Sequence, residues 1–121
     1  MKATLFIVVL FFTISSFAND KIQRYTKLCN QGKSSYCLEL GKFYFSGDGV
    51  EKDLLKSKKI FRDACKSRVA KGCYYLGFIY KRGGIGVKQN KKKAKLAFGR
   101  ACNIGSEHAC VEWRKLDGEG I

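Results

Sequence analysis

The sequence contains no proline and a single histidine, His108, in its 121 residues. Because proline interrupts helices, its absence permits long helical segments, and the 13 glycines supply turns that end them. Metal-dependent enzymes draw several ligands from histidine, cysteine and acidic side chains, so we predict no metal and no cofactor. Acidic residues are scarce as well, with 10 Asp and Glu against 24 Lys and Arg and a formal net charge of +14. Such a charge draws a protein towards anionic surfaces without setting its fold.

The sequence has a short apolar run near its beginning, over residues 5–14, and polar sequence follows at once. This run is too short for a transmembrane helix. Lys2 precedes it, and small residues stand at positions 16 and 18, where a signal peptidase reads. We predict that residues 1–18 are a cleaved signal peptide, the alternative being a buried N-terminal strand. Asn19 rather than cysteine would begin the mature chain, so we expect a secreted or periplasmic protein with no lipid anchor and no stable membrane insertion.

Six cysteines form three pairs with the spacing C-x7-C. The pairs are Cys29 with Cys37, Cys65 with Cys73, and Cys102 with Cys110. The first cysteines of successive pairs lie 36 and 37 residues apart, which indicates a repeat array. An even count in an exported chain predicts disulfides, and we favour bonding within each C-x7-C pair. The competing pattern joins Cys37 to Cys65 and Cys73 to Cys102, which would leave Cys29 and Cys110 at opposite ends of the array.

The repeat is visible when the chain is aligned from the second cysteine of each pair. The segments CLELGKFYFSGDGV and CYYLGFIYKRGGIGV correspond, and the second has one extra residue in its glycine-rich loop. We predict one domain over residues 19–121, with units at about 37–72 and 73–109 and a half-unit at each end. The expected helices are 20–31, 34–46, 53–67, 70–82, 90–104 and 107–117. Each cysteine pair then straddles the turn between two antiparallel helices.

Matching positions of the two units predict local roles. Asp53 and Asn90 are suited to cap the next helix, because a short side-chain oxygen accepts from free amides in the first turn. Gly41 and Gly77 lie inside helices, where glycine is costly, and this predicts close helix-to-helix approach. The helix after Asp53 is expected to face the core with its apolar residues. These are Leu54, Leu55, Ile60, Phe61 and Ala64.

The pattern [AC]-x-x-L-G-x-x-Y-x-x-G-x-G-V-x-x-[DN]-x-x-K, followed by a second helix ending in Ala-Cys, resembles the Sel1-like repeat. That family is related to the tetratricopeptide repeat (TPR), and its paired helices stack into a superhelix. Because every repeat also carries a C-x7-C pair, the chain resembles the Helicobacter cysteine-rich proteins, a family of secreted proteins. The predicted fold is therefore all-α, a short right-handed α/α solenoid of Sel1-like (TPR-like) repeats whose helical hairpins are cross-linked by disulfides.

The third unit departs from the pattern. Arg114 stands where Gly41 and Gly77 stood, and Asp117 replaces the tyrosine. We expect the last helix to cap the array, with Arg114 and Lys115 facing water. Trp113 aligns with Leu40 and Leu76, and it is predicted to be a core or capping residue rather than a ligand platform.

The resemblance also implies an activity, because members of the family are described as penicillin-binding proteins or weak β-lactamases. A β-lactam is therefore a possible ligand. Serine β-lactamases use an S-x-x-K motif with S-D-N and K-T-G elements, and none of these occurs in the sequence. We assign no catalytic residue, and His108 is expected to be exposed and non-catalytic. The favoured function is an interaction module for an envelope or host macromolecule, with β-lactam binding or hydrolysis as the alternative.

Solenoids of paired helices usually bind partners through the first helix of each pair. Aligned positions on these helices give the candidate binding residues Glu39, Lys42, Tyr75, Phe78 and Glu112, with Lys115 equivalent to Lys42 and Phe78. The expected partner is a protein, peptidoglycan or another anionic glycan of the envelope or host.

Lysines recur at matching places in the two units. The candidate basic strip consists of Lys52, Lys56, Lys59, Lys88, Lys91 and Lys92. A charge run alone usually marks a solvated face, but its recurrence on stacked units favours a contact surface for anionic groups. Nucleic acid is not expected, because no aromatic groove is interleaved with the basic residues.

Overall fold

The protein is described by a computed structural model over residues 19–121, and the predicted signal peptide lies outside the described residues. The regular structure of this part of the chain is helical, apart from an isolated antiparallel bridge between Gly84 and Val87. Residues 19–30 are helical and form α1. The later helices are α2 (Ser34–Ser46), α3 (Leu54–Lys66), α4 (Ala70–Arg82), α5 (Lys91–Ile104) and α6 (Glu107–Gly118). The predicted order of helices is confirmed, and the bounds agree to within about one residue.

The helices form a solenoid, in which α2 packs against α3, α3 against α4, α4 against α5 and α5 against α6. The first hairpin is held partly by aromatic rings. The ring of Tyr25 on α1 lies 5.3 Å from that of Tyr36 and 5.6 Å from that of Phe43, both on α2. The all-α class and the stacked hairpins predicted from the repeat are therefore confirmed.

The core is built around one phenylalanine from the second helix of each unit. Phe61 on α3 and Phe98 on α5 are completely buried. Each ring lies against a helical glycine of the preceding helix. A Cβ atom on Gly41 would be 2.8 Å from Phe61 Cε1, and one on Gly77 would be 2.5 Å from Phe98 Cε1. The close approach predicted at both glycines is confirmed, and its cause is a ring inserted against the backbone of the neighbouring helix.

The capping roles are confirmed as well. The Asp53 carboxylate accepts a hydrogen bond of 2.9 Å from the backbone N–H of Lys56 at the start of α3. The Asn90 side-chain oxygen accepts an equal bond from the N–H of Lys93 at the start of α5. Each bond satisfies one of the amides that the first turn leaves free.

Three disulfides close the turns between α1 and α2, α3 and α4, and α5 and α6. They join Cys29 to Cys37, Cys65 to Cys73 and Cys102 to Cys110, with Cα atoms 4.6, 4.5 and 4.7 Å apart. The structure therefore has the local pairing rather than the competing one. The cross-links lie within hairpins, and the glycine-rich loops between hairpins carry none.

One predicted core residue is wrong. Leu55 is 54% exposed, whereas the preceding Leu54 is buried. Successive helical residues differ in direction by about 100°, and in α3 the side chain of Leu54 faces the core while that of Leu55 points to solvent. Leu55 occupies the position of Lys92 in the alignment, which is also exposed. Trp113 is partly buried against the core, and Arg114 and Lys115 are exposed as expected.

Candidate binding surfaces

Side chains of α2, α4 and α6 form one continuous surface, which we call the first-helix face. Three contacts join the helices. The rings of Phe45 on α2 and Tyr75 on α4 lie 6.4 Å apart. Between α4 and α6, the Tyr74 ring lies 6.5 Å from His108, and Lys81 Nζ donates to Glu112 Oε2 at 2.8 Å. The first helices of successive repeats therefore lie side by side.

The middle of the first-helix face is aromatic. Tyr75 stacks on the buried Phe61 at a centroid distance of 4.9 Å and an interplanar angle of 20°. Phe78 meets the buried Phe98 edge to face at 5.1 Å, and Tyr74 meets Phe78 in the same manner at 4.9 Å. Tyr74, Tyr75 and Phe78 remain partly exposed. The core thus fixes the orientation of three rings whose outer parts face solvent.

An ion pair borders the aromatic centre on the α2 side. Lys42 Nζ donates to Glu39 Oε1 at 3.0 Å, one helical turn away. This hydrogen bond raises the pKa of the Lys42 ammonium above its usual range. Both side chains are nearly half exposed, so the pair contributes little to stability and is available to a partner.

A carboxylate shared between two lysines borders the centre on the α6 side. Glu112 accepts from Lys81 at 2.8 Å and from Lys115 at 3.0 Å, and its own side chain is 12% exposed. The hydrogen bond from Lys81 is the main cause that lowers the pKa of the Glu112 carboxyl. Next to it, burial raises the pKa of the Tyr74 hydroxyl. Both lysines keep donors free for further acceptors, since an ammonium has three.

The structure places the candidate binding residues Glu39, Lys42, Tyr75, Phe78 and Glu112 on the helices of this face. Sequence reasoning did not identify Tyr74 and Lys81. The Tyr74-Tyr75 run was a visible signal for the first. Nothing in its own repeat indicated that Lys81 belongs to this surface, because its partner Glu112 lies 31 residues away in the next hairpin.

The candidate basic strip lies beside two further lysines, which share one tyrosine ring. Lys58 Nζ on α3 lies 5.9 Å from the ring centroid of Tyr80, and Lys93 Nζ on α5 lies 5.5 Å from it. Lys56 Nζ lies 4.6 Å from the Tyr44 ring. Lys91 differs from its neighbours, since it pairs with Glu119 at 3.0 Å. The other predicted members, Lys52, Lys59, Lys88 and Lys92, are exposed.

Features associated with hydrolytic chemistry are few in the described chain. Within residues 19–121, His, Cys, Asp and Glu side chains form no group of three or more that could hold a metal ion. His108 is exposed. The buried hydroxyl of Ser57 donates to the carbonyl oxygen of Gly41 at 2.9 Å, so it links α3 to α2. In the same part of the chain, no helix is long and apolar enough to cross a membrane.

Comparison with known proteins agrees with this architecture. The Sel1 repeat model matches residues 34–67 and 70–106. Among solved structures, cysteine-rich protein B of Helicobacter pylori is 38% identical with a TM-score of 0.66, over 74% of this chain and 66% of that one. A Sel1 repeat protein from Oxalobacter formigenes is 28% identical with a TM-score of 0.67, over 76% of this chain and 37% of that one.

A third structure, a protective antigen of uropathogenic Escherichia coli with an SLR fold, is 25% identical with a TM-score of 0.70. The match covers 74% of this chain and 19% of the antigen. The chain thus spans just under two thirds of the Helicobacter protein and smaller shares of the other two. No curated protein sequence matches significantly. Two matched repeats over more than half of the residues show that this chain belongs to the Sel1 repeat family.

Proposed function

We propose that this protein is an exported interaction module that binds another protein of the bacterial envelope or host through its first-helix face. The observation that carries the proposal is the three-ring centre of that face, held between the Glu39–Lys42 pair and the Glu112 cluster. Partly exposed aromatic rings surrounded by charges are typical of binding surfaces. The three disulfides support export, because such bonds persist in oxidising compartments.

The size of the face limits the ligand. Packed helices lie about 8–10 Å apart, so the three helices span roughly 20 Å. An extended chain covers about 3.3 Å per residue, so a segment of about six residues would cross the face. Apolar side chains of that segment would meet Tyr75 and Phe78 in the centre. Acidic side chains would meet Lys42 and Lys115 at either end.

Photo-cross-linking can test this assignment. A cross-linking residue replaces exposed Glu39 on the first-helix face, and in the matched control it replaces exposed Arg100 on α5. We expect a reproducible protein adduct from envelope or host extracts only with the Glu39 variant. The purified partner should then bind the Lys42→Glu, Lys115→Glu double variant about tenfold more weakly, and the Arg100→Glu variant as tightly as the unchanged protein. Equal labelling from both positions would contradict the proposal, and adducts with peptidoglycan fragments alone would assign the face to a glycan.

The β-lactam alternative has a separate test. Purified oxidised protein is incubated with a chromogenic cephalosporin, and the intact mass is measured for an acyl adduct. We expect neither turnover nor an adduct, with reduced and alkylated protein as the control. Turnover that survives purification and disappears on reduction would replace the interaction module with a folded β-lactamase.

A further inference from the structure

The loop between α4 and α5 displays an isolated apolar side chain. Ile85 is 96% exposed, the highest value among the large exposed hydrophobic residues of the described chain. The corresponding loop of the first unit, between Gly47 and Gly49, carries the exposed Asp48 instead. The one-residue insertion in the second unit therefore changes both the shape and the chemistry of the loop.

Several contacts hold this loop in place. Gly84 and Val87 exchange backbone hydrogen bonds of 2.9 and 3.1 Å across the turn, and Val87 is buried. Gly84 lies directly on Leu54, since a Cβ atom at Gly84 would be 2.5 Å from Leu54 Cδ1. Gly83 and Gly86 have φ values of 64° and 83°, a region that other residues rarely adopt. Ile85 is thus held outward on a fixed turn. Because its backbone is already ordered, binding through Ile85 would lose little conformational entropy there.

A second exposed apolar side chain lies on α3 beside the loop. A Cβ atom on Gly86 would lie 3.8 Å from Leu55 Cβ, and Leu55 is 54% exposed. The loop that carries Ile85 therefore lies beside the exposed Leu55, and we call these two exposed apolar side chains the loop tip. Residues three and four apart on a helix are neighbours on its surface, so Lys58 and Lys59 lie one turn from Leu55.

Lysines lie next to both parts of the loop tip, along the chain and on α3. Lys88 follows the turn directly, and Lys93 joins Lys58 at the Tyr80 ring. Within residues 19–121, none of Lys58, Lys59, Lys88 and Lys93 forms an ion pair. The nearby Asp53 carboxylate is occupied by the helix cap. A protruding apolar tip with free ammonium groups around it is complementary to a surface that is negatively charged outside and apolar beneath.

We infer that the loop tip docks this protein on anionic lipid bilayers, with Ile85 and Leu55 inserted below the headgroups and the surrounding lysines on the phosphates. A bilayer accepts a protruding side chain anywhere on its surface, whereas an acidic protein would need a matching pocket for Ile85. One or two inserted side chains with a few lysines give weak and reversible attachment. The loop tip shares no residue with the first-helix face, so the two surfaces can be altered independently.

Vesicle sedimentation tests this inference with the exported, oxidised protein. We expect binding to vesicles of phosphatidylcholine mixed with phosphatidylglycerol, little binding to phosphatidylcholine alone, and weakening as added salt screens the charges. Ile85→Ser should reduce the affinity about tenfold through lost apolar burial, and Lys58→Glu with Lys88→Glu should reduce it at least as much. The matched control is Leu96→Ser, which removes a 70% exposed leucine from α5 and should leave binding unchanged.

Equal binding by the Ile85→Ser protein, or no binding to the mixed vesicles, would overturn the inference. Retention of the unchanged protein by a soluble polyanion such as heparin, without vesicle binding, would assign the lysines to a polymer instead. These results are independent of cross-linking at Glu39, so either proposal can fail while the other stands.

Discussion

The two Sel1 repeats share a framework but differ in how deeply they are buried. In the first, α2 and α3 lie near one end of the array, and Cys37 remains partly exposed. In the second, α4 and α5 are covered on both sides, and the equivalent Cys73 is completely buried. Equivalent residues of the two repeats should therefore contribute differently to the free energy of unfolding, according to their place in the stack. This is expected when each repeat contacts only its neighbours.

A second difference concerns the polar link between paired helices. Ser57 in the first repeat donates from α3 to the Gly41 carbonyl on α2, whereas the aligned residue of the second repeat is the buried Ala94. The first repeat thus has a hydrogen bond where the second has only apolar contact. The less covered repeat is the one with the additional polar link.

The largest expected effect compares two disulfides that close loops of equal length. Replacing Cys65 and Cys73 with alanine should lower the free energy of unfolding by about 3–4 kcal/mol, from lost loop closure and lost contacts of buried sulfur. The same change at Cys29 and Cys37 should cost about 2–3 kcal/mol, because that bridge is partly exposed. Chemical denaturation measures both, and equal costs would show that burial of the bridge adds nothing.

The helical glycines should show the same ranking on a smaller scale. Gly77→Ala should destabilise by about 2 kcal/mol and Gly41→Ala by about 1 kcal/mol, because the first places its methyl closer to a buried ring. Gly118→Ala is the matched control, since a Cβ atom there would meet nothing within 4 Å. A stabilised Gly77→Ala protein would mean that Phe98 can move aside.

Ser57→Ala makes the first repeat resemble the second at this position. We expect a loss of about 1 kcal/mol of unfolding free energy, the usual net contribution of a buried hydrogen bond. Ser46→Ala is the control, because the Ser46 hydroxyl also bonds a helical carbonyl but lies in solvent. Similar losses of unfolding free energy for the two variants would show that the Ser57 bond does not stabilise the packing of α2 against α3.

The smallest expected effect is a pH dependence at the boundary of the second and third hairpins. The pKa of Glu112 is lowered in the folded protein by Lys81, so its contribution is present above the unfolded pKa and is lost as pH falls through the folded one. Glu112→Gln should remove less than about 1 kcal/mol of this acid dependence. Denaturation at a series of acidic pH values checks it, with exposed Glu107→Gln expected to change the dependence less.

The repeat pattern predicted the fold because its signals are local. The caps at Asp53 and Asn90 and the glycines beside buried rings depend on fixed spacing within one unit, so alignment of the two units identifies them. The contact between Lys81 and Glu112 depends instead on how successive hairpins stack, and no spacing within a repeat encodes it. Ile85 had a readable signal in the inserted loop residue, but its exposure depends on the turn that Gly84 and Val87 close.

The C-x7-C spacing also bears on how such arrays change length. Each repeat of about 36 residues contributes the second cysteine of one bridge and the first cysteine of the next. Duplication or loss of one repeat therefore changes the number of cysteines by two and leaves no thiol unpaired. A longer or shorter descendant would inherit a complete set of cross-links at once, with no second mutation needed to supply a partner.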